Sequence, residues 1–361
     1  MLNTSVIARY KELVATKWLL PILVSSFFKQ KVDDELRFLG HDNWPLTRIV
    51  YPNKEKLDII APWEFDDWVD DRDNMPAWFE WKIIRKYKER MLYLPTAFCA
   101  SNCQYCFRQD VLDEERARKM EDHKITNDLS KLKEYLNSNT EVEEIILSWW
   151  DPMILSVEKL WEIFESISSQ GKSIRIHTKT ITYNPILINE GKVKLLSKYN
   201  VRVVFHITHP YEICEKVVSK IQEMWNYGIR MYNQFPLLRW INDHHIVLIE
   251  HLKLLDSLWI RNLSIFLPDP IKYSWAFRIN LARVFNIIDQ FNWNSPSWIN
   301  STRFVLDSNI WKLRREDIKS YNASEWYAIF EREGKEMRYP DFPVQMDIPW
   351  AIDNMLWKWG N

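Results

Sequence analysis

The chain has 361 residues, of which 47% are hydrophobic and 27% charged, with a formal net charge of −1. This size and apolar content predict one large α/β domain with an extension, or two small domains. The balanced charge gives no signal for nucleic acid or an anionic membrane, and no apolar stretch is long enough to span a bilayer. Four cysteines, three of them within eight residues, do not suggest a secreted disulfide framework, so we expect a cytoplasmic protein.

Along the chain, residues 4–40 are predicted to form one or two helices, and residues 41–90 an irregular wrap. From residue 91 onwards, short β-rich runs alternate with helical stretches. The predicted strands are 91–98, 143–149, 173–179, 201–207, 230–238 and 260–268. The predicted helices are 111–137, 156–169, 187–198, 211–226, 243–257 and 275–290.

Six successive βα units imply a parallel sheet with right-handed crossovers. The strand count favours a closed or partly closed barrel over a doubly wound sheet, and functional groups are then expected at the carboxyl ends of the strands. We divide the chain into an N-terminal extension (1–90), the barrel (91–290) and a β-rich C-terminal segment (291–361).

Glycine and tryptophan occur at unusual frequencies. The chain has 6 glycines, where an average composition gives roughly 25, and it has 20 tryptophans. Several tryptophans stand in turn-like contexts, among them Trp149, Trp150, Trp240, Trp293 and Trp298. We hypothesise that the source reads UGA as glycine at many of these positions, whereas the translated sequence shows tryptophan. The alternative is a protein that is truly rich in tryptophan.

Three cysteines follow the first predicted strand with the spacing Cys-x₃-Cys-x₂-Cys, at Cys99, Cys103 and Cys106. Three thiolates on one loop can hold three irons of a cubane, whereas a protein-ligated [4Fe–4S] cluster normally takes four. The vacant iron position is typical of a catalytic site, and S-adenosylmethionine can fill it through its amino and carboxylate groups. Tyr105, just before the last cysteine, would help to bury the cluster.

Zinc is the structural alternative for these thiols. A zinc site would require a fourth cysteine or a histidine pair nearby. Cys214 lies far off in a helical segment, and we interpret it as a small buried hydrophobic residue. His206, His209, His244 and His245 lack metal-ligand spacing and receive no catalytic role.

The cysteine loop and several ordered motifs resemble the lysine 2,3-aminomutase family of radical S-adenosylmethionine enzymes, over roughly residues 45–342. Residues 148–152 (Ser-Trp-Trp-Asp-Pro) are similar to the family's Ser-Gly-Gly-Asp turn. Residues 233–234 with 237–243 are similar to its Asn-Gln…Leu-Leu-Arg-Gly-Val-Asn-Asp motif, so two turns that carry glycine in the family carry tryptophan here. The runs 174–179 and 205–213 complete the series of motifs.

The resemblance implies a partial (β/α)₆ barrel, in agreement with the strand count. It also implies a [4Fe–4S] cluster, S-adenosylmethionine and pyridoxal phosphate as cofactors. A 5′-deoxyadenosyl radical would then remove hydrogen from the substrate β-carbon, and nitrogen would migrate from C2 to C3 with the help of pyridoxal phosphate.

Specific roles also follow from the resemblance. Arg108 matches the residue that binds the substrate carboxylate. Asp269 and Asp307 match paired aspartates around a distal ammonium, which favours lysine over glutamate as substrate. Lys312 is the candidate Schiff-base lysine, although its loop from Asp307 is shorter than in the lysine aminomutases. The implied cofactor contacts are Ser148, Trp149, Trp150, Asp151 and Gln234 for S-adenosylmethionine, and Lys86 and Arg90 for the pyridoxal phosphate group.

Ordinary structural roles compete with these assignments. Arg108 could be a solvated loop arginine, Gln234 an inward-facing barrel glutamine, and Asp269 and Asp307 helix caps or turn carboxylates. Lys312 could be a surface residue, while Lys86 and Arg90 could belong to a charged helix end.

Our leading interpretation is a radical aminomutase that acts on L-lysine, or on another amino acid or a protein lysine. It would take electrons from a donor such as a ferredoxin or flavodoxin, and a homo-oligomer is compatible with it. Two alternatives are a radical enzyme without pyridoxal phosphate and a non-catalytic iron–sulfur protein with a blocked S-adenosylmethionine site.

Overall fold

The structure is a computed structural model that describes residues 2–17, 19–39, 44–58, 63–71, 73–76, 83–96, 98–107, 129–148 and 150–356. In these segments nine strands form one sheet in chain order, and seven of them, β2 to β8, run parallel. β1 and β9 are antiparallel to their neighbours at the two ends. The strands are β1 (Ile83–Ile84), β2 (Arg90–Tyr93), β3 (Glu144–Leu147), β4 (Ser173–Thr178), β5 (Arg202–Phe205), β6 (Arg230–Pro236), β7 (Arg261–Phe266), β8 (Arg303–Asp307) and β9 (Lys312–Leu313).

All six predicted strands are confirmed as β2 to β7, and each observed strand has fewer residues than its predicted range. The sheet continues beyond them, because β8 pairs in parallel with β7. In the part of the chain that the structure describes, β1 and β9 do not pair with each other. The result is the expected partial, open barrel with helices packed on the outside.

One longer helix follows each of the strands β2 to β7. In the same order, these helices are α5 (Leu129–Ser138), α6 (Val157–Ser168), α8 (Glu190–Lys198), α9 (Glu215–Asn226), α10 (His245–Ser257) and α11 (Leu281–Asn294). The short helix α7 (Thr180–Tyr183) lies directly after β4. Three predicted helix starts were wrong by three residues or more. α8 begins at residue 190 rather than 187, because a 3₁₀ turn over Pro185–Leu187 precedes it. α9 begins at residue 215 rather than 211, because a 3₁₀ turn over Pro210–Glu212 precedes it. α11 begins at residue 281 rather than 275, because the Asn280 side chain caps it by accepting the Ala282 N–H. The first part of the predicted helix 111–137 lies outside the described residues.

Alternation along the strands separates a helix-covered face from an inner face. In β4, Ile174 and Ile176 are buried in the main hydrophobic cluster with residues of the outer helices. Arg175 and His177 point to the opposite side, where they contact residues of β3 and β6. The polar side chains of the strands therefore collect inside the barrel.

The N-terminal extension is helical, as predicted for residues 4–40. It contains α1 (Thr4–Lys17) and α2 (Ser26–Leu39). The expectation of an irregular wrap over 41–90 was wrong in part, because this stretch also contains α3 (Pro45–Val50) and α4 (Lys54–Asp58). Pro45 occupies the first turn of α3, where a missing N–H costs nothing, and Asn53 caps α4 through the Lys56 N–H.

The C-terminal segment is β-rich, as predicted, and forms a separate three-stranded antiparallel sheet. Its strands are β10 (Ile318–Asn322), β11 (Tyr327–Arg332) and β12 (Lys335–Pro340). Phe330 and Tyr339 on its inner face join the main core. In the described residues, no helix has the length and apolar character needed to cross a membrane.

Candidate active site

The cysteine loop lies at the carboxyl end of β2, where the barrel geometry predicts function. Cys99, Cys103 and Cys106 are all half-buried and form no disulfide. The loop is tied to the neighbouring strand connection by the Asp151 N–H, which donates to the Phe98 carbonyl at 3.2 Å. The three thiols thus occupy one short loop beside the turn that follows β3.

The N-terminal extension holds this loop through its backbone. The Asn102 N–H donates to the Leu23 carbonyl, and the Gln104 N–H donates to the Ile49 carbonyl, each at 2.8 Å. The Lys56 ammonium donates to the Gln104 carbonyl. The residues in each contact lie at least 48 positions apart, so the sequence offers no local signal for them. The extension therefore positions the cysteine loop rather than merely preceding it.

Cys103 faces a pair of tyrosines. Its sulfur lies 2.9 Å from the Tyr183 hydroxyl, and burial raises the pKa of the Cys103 thiol. Tyr105 lies in the same hydrophobic cluster, and its hydroxyl contacts Thr208 at 2.8 Å and His206 at 3.2 Å. Tyr105 is thus half-buried in the cluster that also contains Cys103, and its role in covering an iron–sulfur cluster stays a prediction.

The three sulfurs do not converge as they stand. Cys99 and Cys106 pack with Trp150 in one hydrophobic cluster, whereas Cys103 packs with Tyr183 in another. Accordingly, no group of three His, Cys, Asp or Glu side chains stands at metal-holding distance among the residues described. The donor set itself fits a [4Fe–4S] cluster, because three thiols that form no disulfide share one short loop.

A second polar group lies on the inner face of the barrel. The His177 Nδ1 atom is 3.4 Å from the Ser148 hydroxyl and 3.4 Å from the Gln234 Nε2 atom. The structure therefore brings together the predicted Ser148 and Gln234 through a residue to which the sequence assigned no role. The sequence did contain one indication for His177, because this residue lies near the end of the predicted strand 173–179 and within the motif 174–179 that resembles the family.

Asp151 is fully engaged within the protein. Its carboxylate accepts hydrogen bonds from the backbone of Met153, Lys179 and Thr180 and from the Thr178 hydroxyl, at 2.7 to 3.1 Å. Burial raises its pKa, while these donors oppose the rise. Asp151 therefore fixes the turn after β3 against the end of β4. Its neighbour Trp150 is 3% exposed and fills the space beside Cys99 and Cys106.

A charged group surrounds Lys312 at the open side of the barrel. The Lys312 ammonium lies 3.8 Å from the Asp307 carboxylate and 4.5 Å from the centre of the Phe266 ring. Burial lowers its pKa, and Asp307 and Asp269 oppose this change, whereas Arg90 and Arg175 add to it. Lys312 keeps 38% of its side-chain surface exposed, so solvent moderates these effects. Four of the sequence-predicted residues (Asp269, Asp307, Lys312 and Arg90) thus come together.

Arg175 is an unpredicted member of this group. Its guanidinium pairs with the Glu144 carboxylate at 2.8 Å, and burial lowers its pKa. The Arg90 guanidinium lies 4.0 Å above the Tyr87 ring. A cluster of two guanidinium groups and an amine, balanced by carboxylates, is suited to an anionic ligand that also needs an amine partner.

Lys86 is less available than predicted. Its ammonium pairs with the buried Asp71 at 2.9 Å and also donates to the Val69 carbonyl. It lines a cavity of about 220 Å³ with Tyr87, Trp311 and Arg332, next to the Lys312 group. Arg108 and Trp149 lie outside the described residues.

The histidines to which no role was given differ in burial, since His209 is buried and His206, His244 and His245 are half-buried. His206 stacks on Tyr105, with 5.7 Å between ring centres, and burial lowers its pKa well below the usual range. The Nε2 atoms of His209 and His251 donate to the backbone carbonyls of Met355 and Ile207, and burial lowers the pKa of both histidines.

Comparison with known proteins gives three kinds of similarity. Residues 93–246 match the model of the radical SAM superfamily. A protein named L-lysine 2,3-aminomutase from Buchnera aphidicola is 30% identical over 202 residues, covering 55% of this chain and 58% of that protein. One with the same name from Methanococcus maripaludis is 24% identical, covering 80% of this chain and 64% of that protein.

The chain therefore spans about three fifths of the length of these curated relatives. Among solved structures, Streptococcus suis SuiB bound to S-adenosylmethionine superposes with a TM-score of 0.44 at 13% identity, covering 62% of this chain and 48% of that one. A radical SAM methyltransferase from Sphaerobacter thermophilus superposes with a TM-score of 0.33 at 12% identity, covering 62% and 68%.

Proposed function

We propose that this chain is a radical SAM enzyme of the lysine 2,3-aminomutase type, which moves the 2-amino group of L-lysine, or of a related amino acid, to C3. The observation that carries this proposal is the position of Lys312. Its amine lies beside Asp307 and within the field of Asp269, Arg90 and Arg175. The Lys312 amine is a partner for an aldehyde, Arg90 and Arg175 are partners for a phosphate, and the two aspartates are partners for a substrate ammonium.

The chain's own residues would hold the three cofactors in separate places. Cys99, Cys103 and Cys106 would hold a [4Fe–4S] cluster, and the turn at Ser148 with His177 and Gln234 would hold S-adenosylmethionine. Lys312 would hold pyridoxal phosphate, with Arg90 and Arg175 toward its phosphate. When bound, these groups supply an electron, the 5′-deoxyadenosyl radical and a π system that stabilises the migrating nitrogen.

The protein's contribution is to bind, orient and shield. Lys312 carries a lowered pKa, which increases the fraction of neutral amine available for imine formation. Asp269 and Asp307 would attract a distal ammonium and repel a distal carboxylate. Arg108 would bind the substrate carboxylate. We further propose a cytoplasmic enzyme that receives electrons from a ferredoxin or flavodoxin.

The test is anaerobic reconstitution with iron, sulfide and pyridoxal phosphate, followed by incubation with S-adenosylmethionine, L-lysine and dithionite. Mass spectrometry is expected to detect β-lysine together with 5′-deoxyadenosine as a reaction product. Lys312→Ala should abolish β-lysine, whereas Lys319→Ala, an exposed lysine on β10, should retain it. Unchanged β-lysine formation in the Lys312→Ala protein would overturn the proposed role.

A second candidate function rests on Trp150. Its buried indole occupies the space next to Cys99 and Cys106, which favours an iron–sulfur protein that does not admit S-adenosylmethionine. Such a protein would take up the cluster but release no 5′-deoxyadenosine. A radical enzyme without pyridoxal phosphate is distinguished by 5′-deoxyadenosine formation without cofactor absorbance at Lys312.

A further inference from the structure

We infer that the native protein carries glycine at positions 240, 259 and 326, where the translated sequence has tryptophan. Seven non-glycine residues have positive φ among those described, and three of them are Trp240, Trp259 and Trp326, with φ of 62°, 59° and 52°. In the left-handed region a Cβ atom approaches the backbone carbonyl, so bulky residues are genuine outliers there and glycine is the usual occupant.

Position 259 has two internal standards in this fold. Three consecutive helices, α8, α9 and α10, end in the same motif before the next strand, with the residue two places after the helix in the left-handed region. In α9 this residue is Gly228, whose N–H donates to Trp225, while the following N–H of Ile229 reaches back to Met224. In α8 the equivalent residue is Asn200. Glycine and asparagine are the two residues that this Schellman cap favours.

Trp259 occupies the equivalent place after α10. Its N–H donates to the Asp256 carbonyl, and the N–H of Ile260 donates to Leu255, both at 2.9 Å. Its side chain is 66% exposed, and its ring stacks only on Trp225, itself 46% exposed, as far as the described contacts show. The backbone thus requires a glycine-type residue, and the indole gains little burial in return.

Position 240 is the third residue of a tight turn. The Ile241 N–H donates to the Leu238 carbonyl at 3.2 Å, which closes the turn, and the Trp240 N–H donates to the Asp243 carboxylate at 2.7 Å. A turn with positive φ at this place is type II, which selects glycine there. The ring of Trp240 stacks on Trp350 at 4.7 Å, so its main aromatic partner is another of the twenty tryptophans.

Position 326 closes the hairpin between β10 and β11, directly before the paired residues Asn322 and Tyr327 resume the ladder. The next hairpin, between β11 and β12, has Gly334 at φ of 76° directly before its own strand begins. Both loops place their last residue in the left-handed region, but only the second has glycine there. This is the third site where the backbone favours glycine and the translated residue is tryptophan.

The three sites have one common explanation. With 6 glycines and 20 tryptophans, the chain has fewer glycines and more tryptophans than an average composition gives. One codon, UGA, read as glycine in the source, accounts for both counts and for the left-handed tryptophans. If the same codon encodes position 150, the indole beside Cys99 and Cys106 disappears and opens room for S-adenosylmethionine, a consequence that rests on the proposed function.

The decisive experiment is peptide mass spectrometry of the full-length protein isolated from its native source. Proteolytic peptides that span positions 240, 259 and 326 are expected to have masses corresponding to glycine. A mass corresponding to tryptophan at any of the three positions would overturn the inference. This measurement does not depend on activity, so it stands or fails separately from the proposed aminomutase reaction.

A second experiment tests the conformational basis with matched variants of the full chain. Trp259→Gly and Trp259→Asn should unfold at higher temperature than Trp259→Ala, by about 2 °C or more. All three lack the indole, but glycine has no Cβ atom and the asparagine side chain forms local hydrogen bonds that favour the left-handed conformation, whereas alanine has neither advantage. Asn200→Gly, at the equivalent cap, should unfold near the parent temperature. If the alanine and glycine variants unfold at the same temperature, the positive φ at position 259 does not select glycine.

Discussion

The Lys312 ammonium and the Asp307 carboxylate lie 3.8 Å apart, at a paired position of the β8 and β9 strands. Their pairing places an amine and a carboxylate at the open side of the barrel, although the loop between them is short. The Asp307 carbonyl also accepts a hydrogen bond from the Trp68 indole at 2.8 Å, which anchors the end of β8 to the N-terminal extension. The first two predictions concern this pair of residues.

Replacing Asp307 with asparagine removes a carboxylate that opposes the lowered pKa of Lys312. We expect the KM for L-lysine to rise by about tenfold to a hundredfold, because a charged hydrogen bond to the substrate ammonium is lost. Asp269→Asn should behave in the same way. Asp289→Asn, whose carboxylate forms an exposed ion pair with Arg315, is the control and should leave KM unchanged. An unchanged KM in both site variants would remove lysine as the substrate.

Lys312→Ala should abolish retention of pyridoxal phosphate after gel filtration, as measured by cofactor absorbance. The Lys312→Arg protein keeps a positive charge but cannot form an imine, so it should also fail to retain the cofactor covalently. Reduction with borohydride, followed by peptide mapping, should label Lys312 in the parent protein. Labelling of another lysine would contradict the assignment.

His177→Ala should weaken binding of S-adenosylmethionine by about fivefold or more, because Ser148 and Gln234 both lose their shared neighbour. The measurement is anaerobic equilibrium dialysis of the reconstituted protein. His245→Ala, at the half-exposed start of α10 and outside the group of Ser148, His177 and Gln234, is the control. If His177→Ala binds the ligand as tightly as the control, this polar group does not contribute to the site.

Trp150→Gly should increase formation of 5′-deoxyadenosine, because it empties the space beside Cys99 and Cys106. Trp150→Phe keeps most of that volume filled and should resemble the parent protein. Removing a genuine core indole would cost about 3–5 kcal/mol of folding free energy, so thermal unfolding should be recorded in parallel. A loss of stability without any gain in cleavage would indicate a native tryptophan with a structural role.

Glu35 should make stability pH-dependent. Its carboxylate accepts hydrogen bonds from the backbone of Leu46 and Thr47, and burial raises its pKa from 4.5 to about 7. The stability it contributes is therefore complete below its ordinary pKa and is lost as pH rises through about 7, by about 3 kcal/mol at most. Glu35→Gln cannot ionise and should abolish this loss.

The measurement for Glu35 is chemical denaturation of both proteins between about pH 5 and about pH 8.5. The effect bears on the site, because α2 packs against Cys103 and Tyr105 through Phe28. Parallel stability profiles for Glu35→Gln and the parent protein would contradict the role of this carboxyl.

Local sequence patterns were sufficient to predict the six successive parallel strands, the barrel class and the cysteine loop. Period-two runs of apolar residues alternated with helical periods, and these local patterns survive in the structure because each strand buries one face under its following helix. The three cysteines needed no tertiary information, since their spacing alone places them on one loop. The unusual glycine and tryptophan counts likewise came from composition.

The contacts between residues distant in sequence became visible only in the folded chain. Three examples are the backbone hydrogen bonds between the extension and the cysteine loop, the contacts of His177 with Ser148 and Gln234, and the electrostatic influence of Arg175 on Lys312. Each of them joins residues from different elements of the chain. No local pattern encodes such contacts, because they depend on the register between parallel strands and on the path of the chain between them. Backbone φ at Trp240, Trp259 and Trp326 is also a property of the folded chain, since caps and turns force it only once their neighbours are in place.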